Sequence, residues 1–391
     1  MRPDHVPAIT CSARLRPRRS YTVVSTYPPT PCGVATFSAA LGAGLRAGGS
    51  EVGVLRIGDE PLDAAPHVVA NLDPTGRPSS LAASRSLRDA DVVILQHEYG
   101  LYDGPDGDSV IDLLEDLHRP SIVVAHTVLR EPTAHQRSVL ERVVQAADAV
   151  VVMTDAGRTR LCSGFAVDPR KVVVIPHGAA VAPASASDDT SGRPGALLTW
   201  GLLGPGKGIE WAIDALALLG DVRPRPHYLI AGDTHPKVAA LDGEAYRSML
   251  GARARRAGVD TQVRFDAGYR GLPALADLIR SAAVVVLPYD SPDQVTSGVL
   301  VDAVAAGRPV VATAFPHAVE LLADGAGLVV PRQDPAALAA ALRRVLTEPE
   351  LADAMGAEAR RLAPALAWPA VAGQYAALGE EILSRREVLS A

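Results

Sequence analysis

The chain has 391 residues, of which 48% are hydrophobic and 21% charged, and its formal net charge is −6 at pH 7. This length allows two domains of ordinary size, and the negative charge argues against general binding to nucleic acid. The three cysteines are far apart and lack CxxC spacing, which fits a reducing compartment. No apolar run is long enough to span a membrane. We therefore expect a cytoplasmic protein, with peripheral contact with the inner face of the membrane as an open alternative.

Residues 1–20 contain a cluster of arginines but no apolar segment, so they predict a disordered basic leader rather than a signal peptide. Ten short β-branched runs follow, alternating with stretches of helical period. The runs are 21–25, 91–95, 121–125, 149–153 and 172–175, then 196–200, 227–231, 262–265, 283–287 and 309–313. Such continuously apolar strands are buried on both faces, which is typical of parallel sheets covered by helices.

Turn-forming residues at 183–195 separate the two sets of runs and predict a linker. We therefore predict an α/β protein with two Rossmann-like α/β/α domains, 21–182 and 196–365, facing each other across a cleft. The tail 366–391 has a helical pattern, and we expect it to cross back to the N-terminal domain. Ligands of open parallel sheets bind beyond the carboxyl ends of the strands, so functional residues should lie there.

In the first half, one glycine and three histidines follow strands. Gly33 stands where prolines give way to a helix, and a glycine there lets an anion approach the backbone; a structural turn is the alternative. His97, His126 and His177 come at the ends of three strands, and together they predict a polar site. A zinc site is the metal alternative, which their separation along the sheet disfavours. Glu98 can serve as an acid, a sugar ligand or a partner of His97.

Two acidic patterns of the DxD type could hold a metal on a diphosphate. One, at 89–91, precedes its strand and so lies at the opposite edge of the sheet. The other, Asp106 and Asp108, lies in a loop rich in turn formers and is predicted to be on the surface. We therefore expect no metal.

In the second half, Lys207 is one of only three lysines and lies in the turn "GLLGPGKGIE" between a strand and a helix. A lysine and free amides at a helix start suit a diphosphate. The pattern is not a Walker P-loop, because Gly208 stands where a hydroxyl residue is required. A plain loop with a surface lysine is the alternative.

A second turn, 289–294, leads to a helix predicted to begin at Thr296, Ser297 and Gly298. Thr296 or Ser297 can cap this helix, and its uncapped amides can bind phosphate oxygens. Asp302 lies one to two turns further on, where a carboxylate can accept hydrogen bonds from ribose hydroxyls. An ordinary capped core helix is the alternative.

The motifs "CGVATF", "HEYG", "HTVL", "GLLGPGKGIE", "GDTHP", "QVTSG" and "HAVELL" resemble those of retaining glycosyltransferases of family 4, which have the GT-B fold, and of a branch of bacterial sugar transferases. The similarity runs from about residue 21 to the tail. It places the family's Glu-x7-Glu motif on Gln294 and Asp302 and its phosphate-binding lysine on Lys207. It also places the family's glycine loop on Gly33 and its N-domain histidine on His126.

The resemblance implies a metal-independent, retaining, hexosyl-type transferase that moves a sugar from a UDP- or GDP-sugar to a hydroxyl acceptor in glycan or glycoconjugate biosynthesis. The acceptor is a glycan, a lipid-linked molecule or a small molecule, bound by the N-terminal domain through 102–108 and 131–137. The C-terminal domain binds the nucleotide sugar, with the base near 268–269. The implied residues are catalytic His126, Lys207 and Gln294; donor-binding Gly33, Lys207, Thr296, Ser297, Gly298 and Asp302; and, more weakly, substrate-binding His97, Glu98, His177 and Tyr269.

Three positions depart from the family pattern: Leu202 replaces a common arginine, Gln294 replaces a glutamate, and Asp302 is shorter than the usual glutamate. They motivate a second hypothesis, a catalytically silent sugar-nucleotide-binding or scaffold subunit of a glycan-assembly complex. A GT-B epimerase or phosphorylase is a third hypothesis, although a phosphorylase needs a further anion site or a cofactor lysine.

Overall fold

The structure is a computed structural model that describes residues 18–58, 65, 67–73, 80–181, 193–268 and 270–390. Most of the predicted leader, most of the predicted linker and Tyr269 lie outside these residues. Within them, no helix combines the length and the apolar character needed to cross a membrane.

The N-terminal sheet has seven parallel strands in the order β3-β2-β1-β4-β5-β6-β7 in the described part of the chain. The strands are β1 (Ser20–Ser25), β2 (Glu51–Ile57), β3 (Val68–Leu72), β4 (Val92–His97), β5 (Ser121–Ala125), β6 (Ala149–Val152) and β7 (Val172–Val174). The helices between them are α1 (Gly33–Ala47), α2 (Leu81–Asp89), α3 (Val110–Glu115), α4 (Ala134–Ala146) and α5 (Asp155–Gly164).

The C-terminal sheet has six parallel strands in the order β10-β9-β8-β11-β12-β13, again among the described residues. They are β8 (Ala196–Trp200), β9 (His227–Ala231), β10 (Val263–Asp266), β11 (Val284–Leu287), β12 (Val310–Thr313) and β13 (Gly327–Val330). The helices are α6 (Ile209–Ala217), α7 (Pro236–Asp242), α8 (Ala245–Arg256), α9 (Leu272–Ser281), α10 (Gly298–Ala305), α11 (Pro316–Leu321), α12 (Pro335–Thr347), α13 (Pro349–Leu366) and α14 (Trp368–Ser390).

All ten predicted strands are confirmed, with ends that differ by at most two residues. The sequence interpretation missed β2, β3 and β13. In β2 the apolar pattern is broken by Arg56, which is fully buried and donates a hydrogen bond to Asn71 of β3 (Nε–Oδ1 3.1 Å). β13 is a short, half-exposed strand at the end of its sheet, and edge strands of this kind lack a continuous apolar signal.

The C-terminal helix packs against the N-terminal domain, as predicted. Val371 and Tyr375 of α14 are fully buried in one core with Phe37 of α1. The two segments that connect the domains also meet: the Ala179 N–H donates to Leu366 O (2.8 Å), and the Trp368 N–H donates to Ala179 O (3.2 Å). The segments around Ala179 and Ala367 therefore lie side by side where the two domains are joined.

Candidate functional site

The carboxyl ends of the two sheets face each other and form one cleft. Thr154, at the end of β6, donates a buried hydrogen bond to Val295 O in the C-terminal domain (2.9 Å). His177, after β7, lies against the start of α10, since a Cβ added to Gly298 would lie 2.8 Å from His177 Nε2. The predicted site residues that follow β8 and β11 thus lie directly opposite those of the first sheet.

Lys207 lies in the turn between β8 and α6. The turn needs glycine at 208, where φ is +62° and a Cβ would collide with Pro288 O. Lys207 Nζ lies 4.5 Å from the centroid of the Tyr289 ring, a distance at which a cation and an aromatic face attract each other. The ammonium forms no ion pair within the described chain, so its charge is available to an anion in the cleft.

The start of α10 offers two backbone amides to a ligand. Ser297 caps the helix through its side chain, which accepts from the Leu300 N–H (3.2 Å). Its own N–H, however, donates to His317 Nδ1 (2.8 Å), so the expectation that the Ser297 amide binds phosphate is corrected. The N–H groups of Gly298 and Val299 have no acceptor among the residues described, and the positive end of the helix dipole lies there.

Asp302 follows one turn after these amides. Its side chain is half-buried and has no hydrogen-bond or ion-pair partner in the described ranges. Burial raises the pKa of Asp302 to about 7. A carboxyl group withdrawn from water without a partner is unfavourable, and a ligand with hydroxyl donors would relieve that cost.

The turn that carries Gln294 is fixed by the opposite domain. Arg160 of α5 donates to Asp293 Oδ1 (3.1 Å) and to Pro292 O (3.0 Å). The Arg130 N–H donates to the same Asp293 oxygen (2.8 Å). Gln294 itself donates through Nε2 to Thr296 O, so its side-chain oxygen remains available to accept a hydrogen bond. Thr296 therefore supports the turn and does not cap the helix.

His126 and His177 both pack against Phe37 of α1. Their ring centroids lie 5.0 and 5.1 Å, respectively, from the centroid of the Phe37 ring. His126 Nε2 lies 2.6 Å from Gln96 Oε1, and this hydrogen bond orients the imidazole ring. Burial, aided by His177 and His97, lowers the pKa of His126 to about 3. The imidazole is therefore neutral at physiological pH.

His97 lies deeper than expected. It is 1% exposed, and burial lowers its pKa to about 4. Both ring nitrogens are buried without a hydrogen-bond partner among the described residues, and its role in substrate binding stays a prediction. Glu98 is closer to the cleft and accepts from Thr127 Oγ1 (2.6 Å). Among the described residues, no three His, Cys, Asp or Glu side chains are placed to hold a metal ion.

Gly33 is the first residue of α1, which Cys32 caps through its Sγ (3.3 Å from Ala35 N). A Cβ added to Gly33 would meet no heavy atom within 4 Å. The fold itself therefore does not require glycine here, and the space beside it is open to a ligand.

Two expectations about the predicted acceptor loop change. Tyr102 is 5% exposed and donates to Gln96 O (3.1 Å), so it belongs to the core. Asp106 lies 3.0 Å from His135 Nδ1 and accepts from Gln136 Nε2 (3.1 Å), which anchors the loop to α4.

Several functional candidates escaped the sequence interpretation. His317 lies in the quoted motif "HAVELL" and Lys237 follows "GDTHP", so both motifs pointed to the right segments but not to the right side chains. Glu320 also lies in "HAVELL", whereas Arg160 had no signal, because its partner belongs to the other domain.

Two family models match the chain: "Glycosyltransferase Family 4" over residues 31–182 and "Glycosyl transferases group 1" over residues 194–348. Together they cover most of its length. The chain belongs to glycosyltransferase family 4.

Its match to the "D-inositol 3-phosphate glycosyltransferase" of Kineococcus radiotolerans is 34% identical and covers 59% of this chain and 57% of that protein. The protein of the same name from Jonesia denitrificans is 32% identical, over 61% and 58%. The matched region thus spans less than two thirds of these relatives.

Solved structures show the same fold. Sucrose-phosphate synthase from Thermosynechococcus elongatus superposes with a TM-score of 0.75 at 21% identity, covering 94% of this chain and all of that one. Anabaena Alr3699/HepE, solved in complex with UDP, has a TM-score of 0.71 at 18% identity, over 93% and 100%. This family 4 chain therefore has the predicted GT-B fold.

Proposed function

We propose that this family 4 protein is a retaining, metal-independent glycosyltransferase that moves a sugar from a UDP- or GDP-sugar to a hydroxyl acceptor. The observation that carries the proposal is that three groups follow the carboxyl ends of β8 and β11. They are the unpaired Lys207 ammonium, the two free amides at the start of α10, and the unpartnered Asp302 carboxyl one turn further on. A diphosphate needs the first two, and the ribose attached to it needs the third.

Several relatives agree with this assignment without deciding it. The HepE structures were solved with UDP and with UDP-glucose, and the curated relatives carry glycosyltransferase names. The base of the donor would lie beyond β10, next to Gly268.

The proposed reaction places a developing negative charge on the leaving diphosphate. Lys207 and the amides of Gly298 and Val299 stabilise that charge, and they are already oriented before the reaction. The leaving phosphate oxygen takes the proton of the acceptor hydroxyl, as the family resemblance implies. Gln294 and the neutral His126 orient the transferred sugar through hydrogen bonds. Contact between the domains excludes water and so limits hydrolysis of the donor.

Isothermal titration of the purified protein with UDP, GDP and ADP, with and without EDTA, tests the donor site. We expect one nucleotide to bind, unaffected by EDTA, and its affinity to fall about tenfold or more in Lys207→Met and Asp302→Asn, because each removes a charged hydrogen-bonding group. Arg170→Ala is the matched control, because Arg170 is exposed and, in the part of the chain that the structure describes, pairs only with nearby Asp168. Equal affinity in both site variants and the wild type would contradict the placement of the donor.

Turnover separates an enzyme from a silent binder. We expect release of the nucleotide from the cognate sugar nucleotide only when an acceptor is present, and an early product with the anomeric configuration of the donor, read by NMR. Binding without turnover would favour the scaffold hypothesis, and an inverted product would contradict retention.

A further inference from the structure

Lys237 of the C-terminal domain reaches the N-terminal domain. It lies at the start of α7, and a Cβ added to Gly100, just after β4, would collide with Lys237 Nζ. The glycine therefore leaves room for an ammonium that crosses the cleft. Lys237 has no ion-pair partner in the chain as described.

This ammonium lies between the two halves of the proposed site. On one side it interacts electrostatically with the Glu98 carboxylate, which counteracts the effect of burial that raises the pKa of Glu98. On the other side, Lys237 and Lys207 add to burial in lowering the pKa of His235. Lys237 thus acts electrostatically on Glu98 of the N-terminal domain and, together with Lys207, on His235 of its own domain.

The Glu98 carboxylate and the Lys237 ammonium belong to the same region of the cleft, since Lys237 Nζ lies beside Gly100, two residues after Glu98. No Glu98 oxygen lies within 4.0 Å of Lys237 Nζ, although Coulomb interaction links the two groups. A carboxylate accepts and an ammonium donates hydrogen bonds, so the two together can hold a hydroxyl group, which can do both.

The surroundings of this pair are acidic. The loop that carries Asp106 and Asp108 folds back on the strand end, since a Cβ at Gly107 would lie 3.1 Å from Tyr99 O and 3.6 Å from Glu98 O. Burial, together with Glu98 and Asp106, raises the pKa of Tyr99, whereas Arg137 opposes this effect. His135 contacts both loop aspartates. A phosphate placed here would meet more negative than positive charge.

The following inference rests on the proposed function. We propose that Glu98 and Lys237 together hold a hydroxyl group of the acceptor, and that the part of the acceptor bound here carries no phosphate, as in a free sugar or cyclitol. The names of the curated relatives, by contrast, include a phosphorylated inositol. Glu98 and Lys237 position the acceptor, and because they belong to different domains, both reach it only when the domains are in contact.

The test uses the full chain, the nucleotide sugar that binds, and matched acceptors: glucose, mannose and myo-inositol against glucose 6-phosphate, mannose 6-phosphate and myo-inositol 3-phosphate. We expect transfer to an unphosphorylated member. Glu98→Gln and Lys237→Met should each raise the KM for that acceptor about tenfold, the effect of losing one charged hydrogen bond. Nucleotide affinity should stay within about threefold of the wild type.

Two further readouts separate this role from a structural one. Gly100→Ala should reproduce the Lys237→Met phenotype, because its methyl group displaces the ammonium while the far end of a lysine side chain can move at little cost to the fold. The preference for phosphorylated over unphosphorylated acceptors should rise in Glu98→Gln and fall in Lys237→Met, since the two changes have opposite electrostatic sign. Arg170→Ala should leave this preference unchanged.

Preference of the wild type for a phosphorylated acceptor, transfer to neither class while the nucleotide binds, or an unchanged acceptor KM in the variants would each overturn the inference. Failure of every nucleotide to bind would instead overturn the proposed function on which it rests.

Discussion

Arg160 of the N-terminal domain donates a hydrogen bond to Asp293, the residue before Gln294 in the C-terminal domain, with 3.1 Å between Nη1 and Oδ1. The pair is partly buried, with 17% of the Arg160 side chain and 35% of the Asp293 side chain exposed. Glu320 adds a second connection by accepting the N–H groups of Asp155 and Ala156 at the start of α5 (2.9 Å each). The position of the turn that carries Gln294 thus depends on contact between the domains.

Replacing Arg160 should therefore impair turnover more than donor binding. In Arg160→Met we expect kcat to fall about tenfold or more, because the turn loses a charged hydrogen bond that orients it, while the nucleotide dissociation constant changes less than about threefold. Steady-state kinetics and titration calorimetry measure the two effects. Arg170→Ala, which removes an exposed pair, should change neither. An unchanged kcat in Arg160→Met would show that the turn keeps its position without the N-terminal domain.

Asp302 should make the stability of the free protein depend on pH. Its pKa in the folded protein, about 7, lies above the ordinary value of 3.8, so the folded state retains the proton between these values. The stabilisation that Asp302 contributes by retaining its proton is present at pH 4 and is lost as the pH rises to 7 and above. This loss lowers the free energy of unfolding by up to about 4 kcal/mol. Asp302→Asn should then raise the melting temperature at pH 8 but hardly at pH 4. Parallel melting curves for the two proteins across this range would contradict the assignment.

Asp302 should also make nucleotide affinity depend on pH. Ribose hydroxyls bind an ionised carboxylate better than a protonated one, so affinity should increase as the pH rises through about 7 and level off above it. Titrations from pH 5.5 to 8.5, at about half-unit steps below and above the pKa, measure this trend. The dependence should be absent in Asp302→Asn, and a wild-type affinity that falls over the same range would be the opposite result.

Gly33→Ala should distinguish a ligand role from a structural one. The added methyl group meets no heavy atom of the chain within 4 Å and lies in a helix, so stability should be unchanged or rise by about 0.4–1 kcal/mol. Nucleotide-sugar turnover should nevertheless fall, because the methyl group enters the space beside the start of α1. Thermal denaturation and kinetics on one sample give both values. Full activity would show that the donor and the acceptor avoid this surface.

The packing of α14 on the N-terminal domain gives a prediction about stability. A Cβ at Gly44 of α1 would lie 2.7 Å from Ala372 Cβ and 3.1 Å from Trp368 O, so Gly44→Val should destabilise the protein by about 1–3 kcal/mol through overpacking. Gly373→Ala on α14 is the control, because its methyl group meets nothing within 4 Å. Urea denaturation compares the two. Equal midpoints would show that α1 and α14 are less closely packed than the structure indicates.

The sequence determined the architecture because buried parallel strands leave a local signal. Every predicted apolar run became a strand, and the turns around Lys207 and Ser297 lie at the carboxyl ends of β8 and β11. The residue types at these turns were also readable, since glycine, lysine and a capping serine act through their own backbone segment.

The sequence could not show which polar groups are already occupied. The Ser297 amide looked free until His317, twenty residues later, proved to accept its hydrogen bond. His97 and Tyr102 looked like site residues but are buried, because the ends of strands and the loops after them reach different depths, which depend on the packing of the helices above them.

The sequence by itself thus determined two parallel-sheet domains, the strand ends where chemistry is placed, and the residue types of the proposed donor site. Only the tertiary structure decided the pairs Arg160 with Asp293, His177 with Gly298, and Lys237 with Gly100. The reason is physical: these contacts join residues more than a hundred positions apart, and their free energy depends on how two independently patterned domains meet. No local periodicity or propensity encodes that meeting.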